Sequence, residues 1–285
     1  MIDGRLHSGE LVAQPTTYER IHTFFHVVFF VSNKEFHSKK LTIREYRGFM
    51  NIFTIFQDDF IYHDYQPLYT IDHCQSLYGY EALLRNIYKE NPETLFQTAM
   101  KANILYKLDT LSISKAIEGF LHNQNQNGKL FLNVYVTTLL HPSFHKYFDH
   151  LMETYPELSG RLVFELNEST SDELWQNPLL LKALKNLKQY NVLYAIDDFG
   201  QGTASIKKAI EFEPDIIKLD RYFAKDLAVC ERKQRFISFF HQFYGRDTLI
   251  ILEGIEQEED MLVAKELGIT IGQGYFLGRP SRLLA

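Results

Sequence analysis

From position 60 onward, short apolar runs alternate with longer stretches whose apolar residues recur at helical spacing. The short runs fall at 60–71, 79–84, 130–136, 162–166, 192–196, 215–219, 249–252 and 269–275, and have the length and β-branched or aromatic content of strands. Between them, helical patterns cover about 93–106, 112–122, 144–154, 171–190 with Pro178 able to divide it, 204–212, 225–243 and 257–267. Strand and helix alternate, and the strands number about eight. This predicts a closed α/β barrel of parallel strands wrapped in helices rather than an open sheet.

Residues 1–57 do not share this texture. The segment 21–31 reads equally as strand or amphipathic helix, and 37–47 is polar and basic without usable periodicity. We therefore expect 1–57 to be an irregular N-terminal extension and 58–285 to be the folded domain. One expectation is that the 49 residues before Met50 are an over-extended reading of the gene, which an intact-mass measurement of native protein decides.

Composition narrows the function classes. With 285 residues, 45% of them hydrophobic, the chain can bury a sizeable core, so disorder is not expected. Its 36 acidic and 30 basic residues give a formal charge of -6, and the basic residues are scattered, so a nucleic-acid polymer is a poor partner. Cys74 and Cys230 lie far apart without a partner motif, which fits a reducing compartment and argues against a zinc site. The longest apolar cluster, 24–31, is interrupted by His26 and is too short to span a bilayer, and no signal-peptide order is evident. These features predict a cytoplasmic chain without a transmembrane segment.

The candidate chemistry lies where the strands end. Glu81, Asn133, Glu165, Asp197, Lys218, Glu253 and Gln273 each fall within or at the end of a different expected strand, and in such a barrel those ends converge on one face. Several carboxylates with one amide-rich neighbourhood and a single lysine leave excess negative charge, which a hard divalent cation neutralises. With no His or Cys in the set, magnesium or manganese fits better than zinc. Asp197 and Asp198 are adjacent, so both serve one site only if the strand end twists or one turns into the loop, as Gly200 and Gly202 would permit. Two cations bridged by Asp197, with Asp198 on the second, would suit in-line attack on a phosphodiester, with Lys218 and Glu253 near the attacking water. Arg85 could contact a substrate phosphate through a bidentate fork, and Gln66 could touch the ligand.

Each residue also has a plainer use. The aspartates could cap a helix starting near Ser205, Arg85 could pair with Glu81 or a helix carboxylate, and Lys218 could pair with Asp220. Gln273 could satisfy backbone groups, and Asn133 could be a turn residue. Asp220 and Glu256 read as supporting residues.

The ordered series resembles a known family. Glu81-Ala82-Leu83-Leu84-Arg85 resembles the signature of the EAL domain, the cyclic di-GMP phosphodiesterase family. Tyr65-Gln66-Pro67 is similar to its opening strand, and Asn133 after Phe131-Leu132 to its metal-binding asparagine. Glu165-Leu166-Asn167-Glu168-Ser169, Asp197-Asp198-Phe199-Gly200, Lys218-Leu219-Asp220, Glu253-Gly254-Ile255-Glu256 and Gln273-Gly274-Tyr275 with Pro280 resemble later segments in unbroken order, over about 59–281.

The resemblance implies a (β/α)8 TIM-like barrel of the EAL type with one strand antiparallel to the others. It implies hydrolysis of cyclic di-GMP to linear pGpG with two magnesium or manganese ions per site. Glu81, Asn133, Glu165 and Asp197 would be ligands of the first metal and Asp198 of the second. Lys218 and Glu253 would be catalytic around the water, and Gln66, Leu83, Arg85 and Gln273 would bind substrate. Glu168 would anchor the loop after Asp198, and that loop would contribute to a homodimer interface. The chain departs from the family pattern at Gln201, Thr203 and Tyr135. The alternative implied by those departures is a catalytically weak or inactive cyclic di-GMP receptor acting through a protein partner.

Overall fold

The computed structural model describes residues 60–72, 75–122, 128–167, 171–200, 205–245 and 247–283. The expected N-terminal extension, Glu168, Gln201 and Thr203 lie outside the described residues. Eight strands form a closed barrel in sequence order: β1 (Ile61–Thr70), β2 (Leu77–Asn86), β3 (Lys129–Asn133), β4 (Leu162–Asn167), β5 (Leu193–Phe199), β6 (Ile216–Leu219), β7 (Leu249–Leu252) and β8 (Ile271–Gly272). β1 runs antiparallel to both neighbours, β2 and β8, whereas the pairs from β2 through β8 are parallel.

The helices between the strands are α1 (Pro92–Lys101), α2 (Leu105–Leu121), α3 (Val136–Leu139), α4 (Phe144–Thr154), α5 (Asp172–Trp175), α6 (Pro178–Lys188), α7 (Ser205–Phe212), α8 (Arg221–Ala224), α9 (Glu231–Tyr244) and α10 (Glu258–Glu266). Several boundaries differ from the sequence expectation, each for a local reason. The 171–190 stretch is divided at Pro178, as its sequence allowed: Pro178 opens α6 and the Asn177 side chain accepts from the Leu179 N–H as its cap. The 225–243 stretch begins as a helix only at Glu231, after Asp226 takes a left-handed conformation with φ +56°. β3 stops at Asn133 rather than 136, since the Tyr135 N–H turns away to the buried carboxylate of Asp109 on α2 at 3.0 Å. β8 shrinks from the expected 269–275 to two residues, and its upper part is a turn.

Strand periodicity sorts most strand side chains into an inner and an outer core. Leu68, Phe131, Val163, Ala195, Ile216, Ile251 and Ile271 point inward and form one cluster that fills the barrel. Leu132, Phe164, Ile196, Ile217 and Leu252, each one residue later, point outward into the layer shared with helical residues such as Ile117, Phe148, Leu184 and Phe240. Burying each such side chain stabilises the fold by roughly 1.5–3 kcal/mol before the entropy of ordering it is counted. The filled interior is a floor. Whatever binds must sit above it.

Candidate active site

The inward residues of the floor dictate what stands on it. Two positions further along a parallel strand, the next inward residue lies one layer higher, at the C-terminal end. Phe131 is thus followed by Asn133, Val163 by Glu165, Ala195 by Asp197, Ile216 by Lys218, Ile251 by Glu253 and Ile271 by Gln273. β1 runs the other way, so its residue above Leu68 is Gln66, which lies opposite Glu81 in the antiparallel register. One polar layer therefore caps one apolar layer.

Lys218 is at the centre of the polar layer and has no exposure at all. Its Nζ lies 2.6 Å from Glu165 Oε1, 2.7 Å from Glu253 Oε1, 2.9 Å from Asp197 Oδ1 and 3.4 Å from Glu81 Oε2. Gln273 Nε2 donates to Glu81 Oε2 at 2.8 Å, and Asn133 Nδ2 lies 3.4 Å from Glu81 Oε1 and 3.3 Å from Glu165 Oε2. All seven strand-end residues singled out from the sequence are therefore brought together. The expected alternative of a Lys218–Asp220 pair is not what forms: the Asp220 side chain accepts from the Tyr222 N–H at 2.9 Å and caps α8. Glu256 is exposed to solvent.

The electrostatics follow from four carboxylates around one ammonium. Burial opposes the charge on Lys218, yet Asp197, Glu165, Glu253 and Glu81 outweigh it and hold the ammonium well above the ordinary lysine range. Burial also pushes the Glu165 and Glu253 carboxyls well above the carboxylate range; Lys218 pulls against this while the neighbouring carboxylates reinforce it. Asp197 moves upward for the same reasons, burial first. A single lysine does not balance this charge.

The adjacent aspartates are separated by a break in β5. The register with β6 shifts between Ile196 and Phe199, and Asp198 within that bulge has φ +54°, a left-handed conformation that aspartate tolerates better than most residues. The bulge lets Asp198 leave the strict alternation that would send it outward. Its Oδ2 accepts from Asn167 Nδ2 of β4 at 3.0 Å, and burial together with Asp197 pushes its carboxyl up to about 6. Gly200 follows with φ +109°, where a Cβ would meet the Phe223 ring at 2.5 Å, so the turn out of the strand needs glycine on both counts.

One wall of the mouth is built by β1 and β2. Glu81, Leu83 and Arg85 alternate along β2 on the inward face, opposite Gln66, Asp64 and Tyr62 of β1. Arg85 Nε lies 3.0 Å from Asp64 Oδ2 and its Nη1 donates to the Leu84 carbonyl at 2.9 Å. The partner of Arg85 is thus a β1 carboxylate, not Glu81 or a helix residue. Gln66 Nε2 donates to the Gly278 carbonyl at 3.2 Å, which ties the closing segment to the mouth.

The donor set fits a hard divalent cation, being all oxygen and amide with surplus negative charge. Glu81, Asn133, Glu165, Asp197 and Asp198 are the residues able to hold one. Among the described residues no three carboxylate, imidazole or thiol groups are disposed as ready ligands about one point. The carboxylates instead close on Lys218, so binding a cation requires some of their oxygens to turn from the ammonium.

Asn167, which pairs with Asp198, Asp64, which pairs with Arg85, and Asp109, which holds the backbone after Asn133, are neighbours that sequence reasoning missed. The period-two series Tyr62, Asp64, Gln66 carried a signal for Asp64. An aspartate within the apolar stripe of α2 carried one for Asp109.

Comparison with known proteins bears on the family and the fold. The sequence profile of the EAL domain matches residues 54–280. A probable cyclic di-GMP phosphodiesterase of Escherichia coli K12, PdeI, is 29% identical over 225 residues, covering 76% of this chain and 28% of the relative. The chain thus spans about a quarter of the length of the curated relatives it matches first. Among solved structures, the Xanthomonas citri FimX EAL domain in complex with cyclic di-GMP superposes with a TM-score of 0.73 at 20% identity, covering 84% of this chain and 95% of that one. The calcium and cyclic di-GMP complex of Klebsiella pneumoniae BlrP1 gives a TM-score of 0.66 at 25% identity over 78% of this chain and 56% of that one; a manganese complex of the same protein is also known. Such likeness fixes the fold as the (β/α)8 barrel.

Proposed function

The chain belongs to the EAL domain family, and from that premise we propose that it hydrolyses one phosphodiester bond of cyclic di-GMP to give linear pGpG. The observation that supports this reading best is the closure of seven strand-end polar side chains around the buried Lys218. In this reading Glu81, Asn133, Glu165 and Asp197 would hold a first magnesium or manganese ion, and Asp198 together with Asp197 would hold a second. Two such cations, when bound, lower the pKa of a water and neutralise charge on the phosphate oxygens.

The chain's own residues divide the remaining work. Gln273 fixes the Glu81 carboxylate, and Asn167 fixes that of Asp198. Glu253 has the most open side chain of the four carboxylates on Lys218, at 16% exposure, which suits it to accept the proton of the attacking water at Oε1. Lys218 steers that carboxylate and stabilises negative charge on phosphorus oxygens. Arg85, Leu83 and Gln66 bind the substrate along the β1–β2 wall; the expected anchoring residue Glu168 lies outside the described residues.

The same reading includes a homodimer through the loop after Asp198. α7 follows that loop directly and exposes Ile206 and Ile210, while α9 exposes Phe239 and Phe243. The two helices touch where the Tyr244 hydroxyl donates to the Ile206 carbonyl at 3.5 Å. We place the activity in the cytoplasm; among the described residues no helix is long and apolar enough to cross a membrane.

Substitution tests the assignment. Glu81→Ala and Asp197→Ala should each lower cyclic di-GMP turnover by a factor on the order of 100 or more, because each removes a charged ligand. Wild-type turnover by either variant would overturn the ligand set.

A further inference from the structure

Above the polar layer, the rim of the mouth carries a second charged group that the hydrolytic chemistry does not use. The last described segment returns to the barrel and pairs with β1: the Tyr65 N–H donates to the Ser281 carbonyl at 2.8 Å, and the Ser281 N–H to the Tyr65 carbonyl at 3.2 Å. This antiparallel bridge fixes the direction of the next residue. Arg282 falls beside Asp64, on the inward side of β1 with Tyr62 and Gln66. Its Cζ lies 3.5 Å from the Tyr62 ring centroid, and its Nε is 3.9 Å from Asp64 Oδ1.

Asp64 therefore stands between two guanidiniums, with Arg85 held closely at 3.0 Å and Arg282 loosely at 3.9 Å. One carboxylate against two arginines leaves a net positive charge on this rim, above a centre of surplus negative charge. The buried imidazole of His63, on the opposite face of β1, registers the same field: burial first, then Arg282 and Arg85, push it down to about 3. The two arginines are not equally available. Arg85 spends its Nε on Asp64 and one Nη on the Leu84 carbonyl, whereas Arg282 is 56% exposed and rests on the Tyr62 ring, with no partner for its terminal Nη groups among the described residues.

We infer that Arg282 is a further substrate-binding residue, which acts with Arg85 to bind the second phosphodiester of the cyclic dinucleotide, the one not cleaved. The inference rests on the cyclic di-GMP reading of the site. A cyclic dinucleotide carries two phosphodiesters, and the negative centre can take one only with its cations in place. The other needs donors of its own, and a planar, permanently charged fork suits a phosphate. Glu81 and Arg85 lie four residues apart on β2, about 13 Å of strand, and long arginine side chains can reach back over part of that distance.

The test compares Arg282→Ala and Arg282→Lys with the wild-type chain. Binding of cyclic di-GMP is measured calorimetrically in calcium, and KM and kcat are measured in magnesium. We expect Arg282→Ala to raise both Kd and KM about tenfold, the scale of one charge-assisted phosphate contact, with kcat within about twofold and partial recovery by Arg282→Lys. Bis(para-nitrophenyl) phosphate, which has a single phosphodiester, should be hydrolysed equally by both. Wild-type binding left unchanged by Arg282→Ala would overturn the inference, as would an equal loss on both substrates, which would mark a general structural effect. Failure of the wild-type chain itself to bind cyclic di-GMP would overturn the functional reading, and this inference with it.

Discussion

At the scale of single residues, Lys218 decides the character of the site. It is wholly buried and meets four carboxylates at 2.6–3.4 Å, so it holds together a polar layer that would otherwise repel itself. Lys218→Met removes the ammonium these four carboxylates share while keeping much of the volume, and stranding buried carboxylates in this way costs about 3–5 kcal/mol. For a domain of this size that corresponds to a fall in Tm on the order of 10 °C in the presence of a chelator. Excess manganese should restore part of the loss, since a cation that binds the folded state stabilises it. Equal melting of variant and wild type in chelator would show that the carboxylates do not depend on this lysine.

At the scale of elements, the link between α2 and the loop after Asn133 has a pH signature. Asp109 is buried and accepts the Tyr135 N–H, and burial pushes its carboxyl up from 3.8 to about 7. In the unfolded chain it loses its proton near its ordinary value, so between about pH 4 and 7 the folded state binds more protons and stability falls as pH rises. Each pK unit is worth about 1.4 kcal/mol, which bounds the effect at roughly 4 kcal/mol. Asp109→Asn keeps an oxygen for Tyr135 and loses the titration. Its urea midpoint should therefore exceed the wild-type value at pH 8 and approach it toward pH 5. A wild-type midpoint that rises over that range relative to the variant would contradict the assignment.

The elements also show what a sequence can and cannot express. The barrel was legible because short apolar strand runs alternate with helical patterns about eight times, and most runs end in a polar residue, as Glu165 after Val163 or Lys218 after Ile216. That one strand runs against the others came only with the family resemblance, because alternation alone carries no direction, and that it is β1 is seen only in the structure. The bulge at Asp198 was legible as a requirement but not as a conformation, since its register shift depends on pairing with β6. Arg282 gave no signal, because its place depends on a bridge to Tyr65, more than 200 residues away. Lys218 was read as one charge among several; that four carboxylates converge on it follows only from closure of the barrel.

At the scale of the whole molecule, the exposed apolar face of α7 and α9 is the surface that the proposed dimer would cover. Ile206, Ile210, Phe239 and Phe243 are each more than half exposed. Phe243→Glu should convert a sedimenting dimer to a monomer while leaving the unfolding midpoint nearly unchanged, because the side chain contributes little to the core. A wild-type chain that sediments as a monomer at all concentrations tested would remove the dimer from the account. The division of the chain at about residue 58 is likewise a proposal, tested by whether a chain starting there folds with the same cooperative transition.

The central claim, that the polar layer above the barrel floor is a phosphodiesterase centre, is tested most directly by product analysis. Purified protein is incubated with cyclic di-GMP in magnesium or manganese, and the nucleotides are separated by chromatography. The account predicts linear pGpG, formed in proportion to enzyme and abolished by a chelator. Undiminished cyclic di-GMP that remains bound to the protein would contradict it and make the chain a receptor.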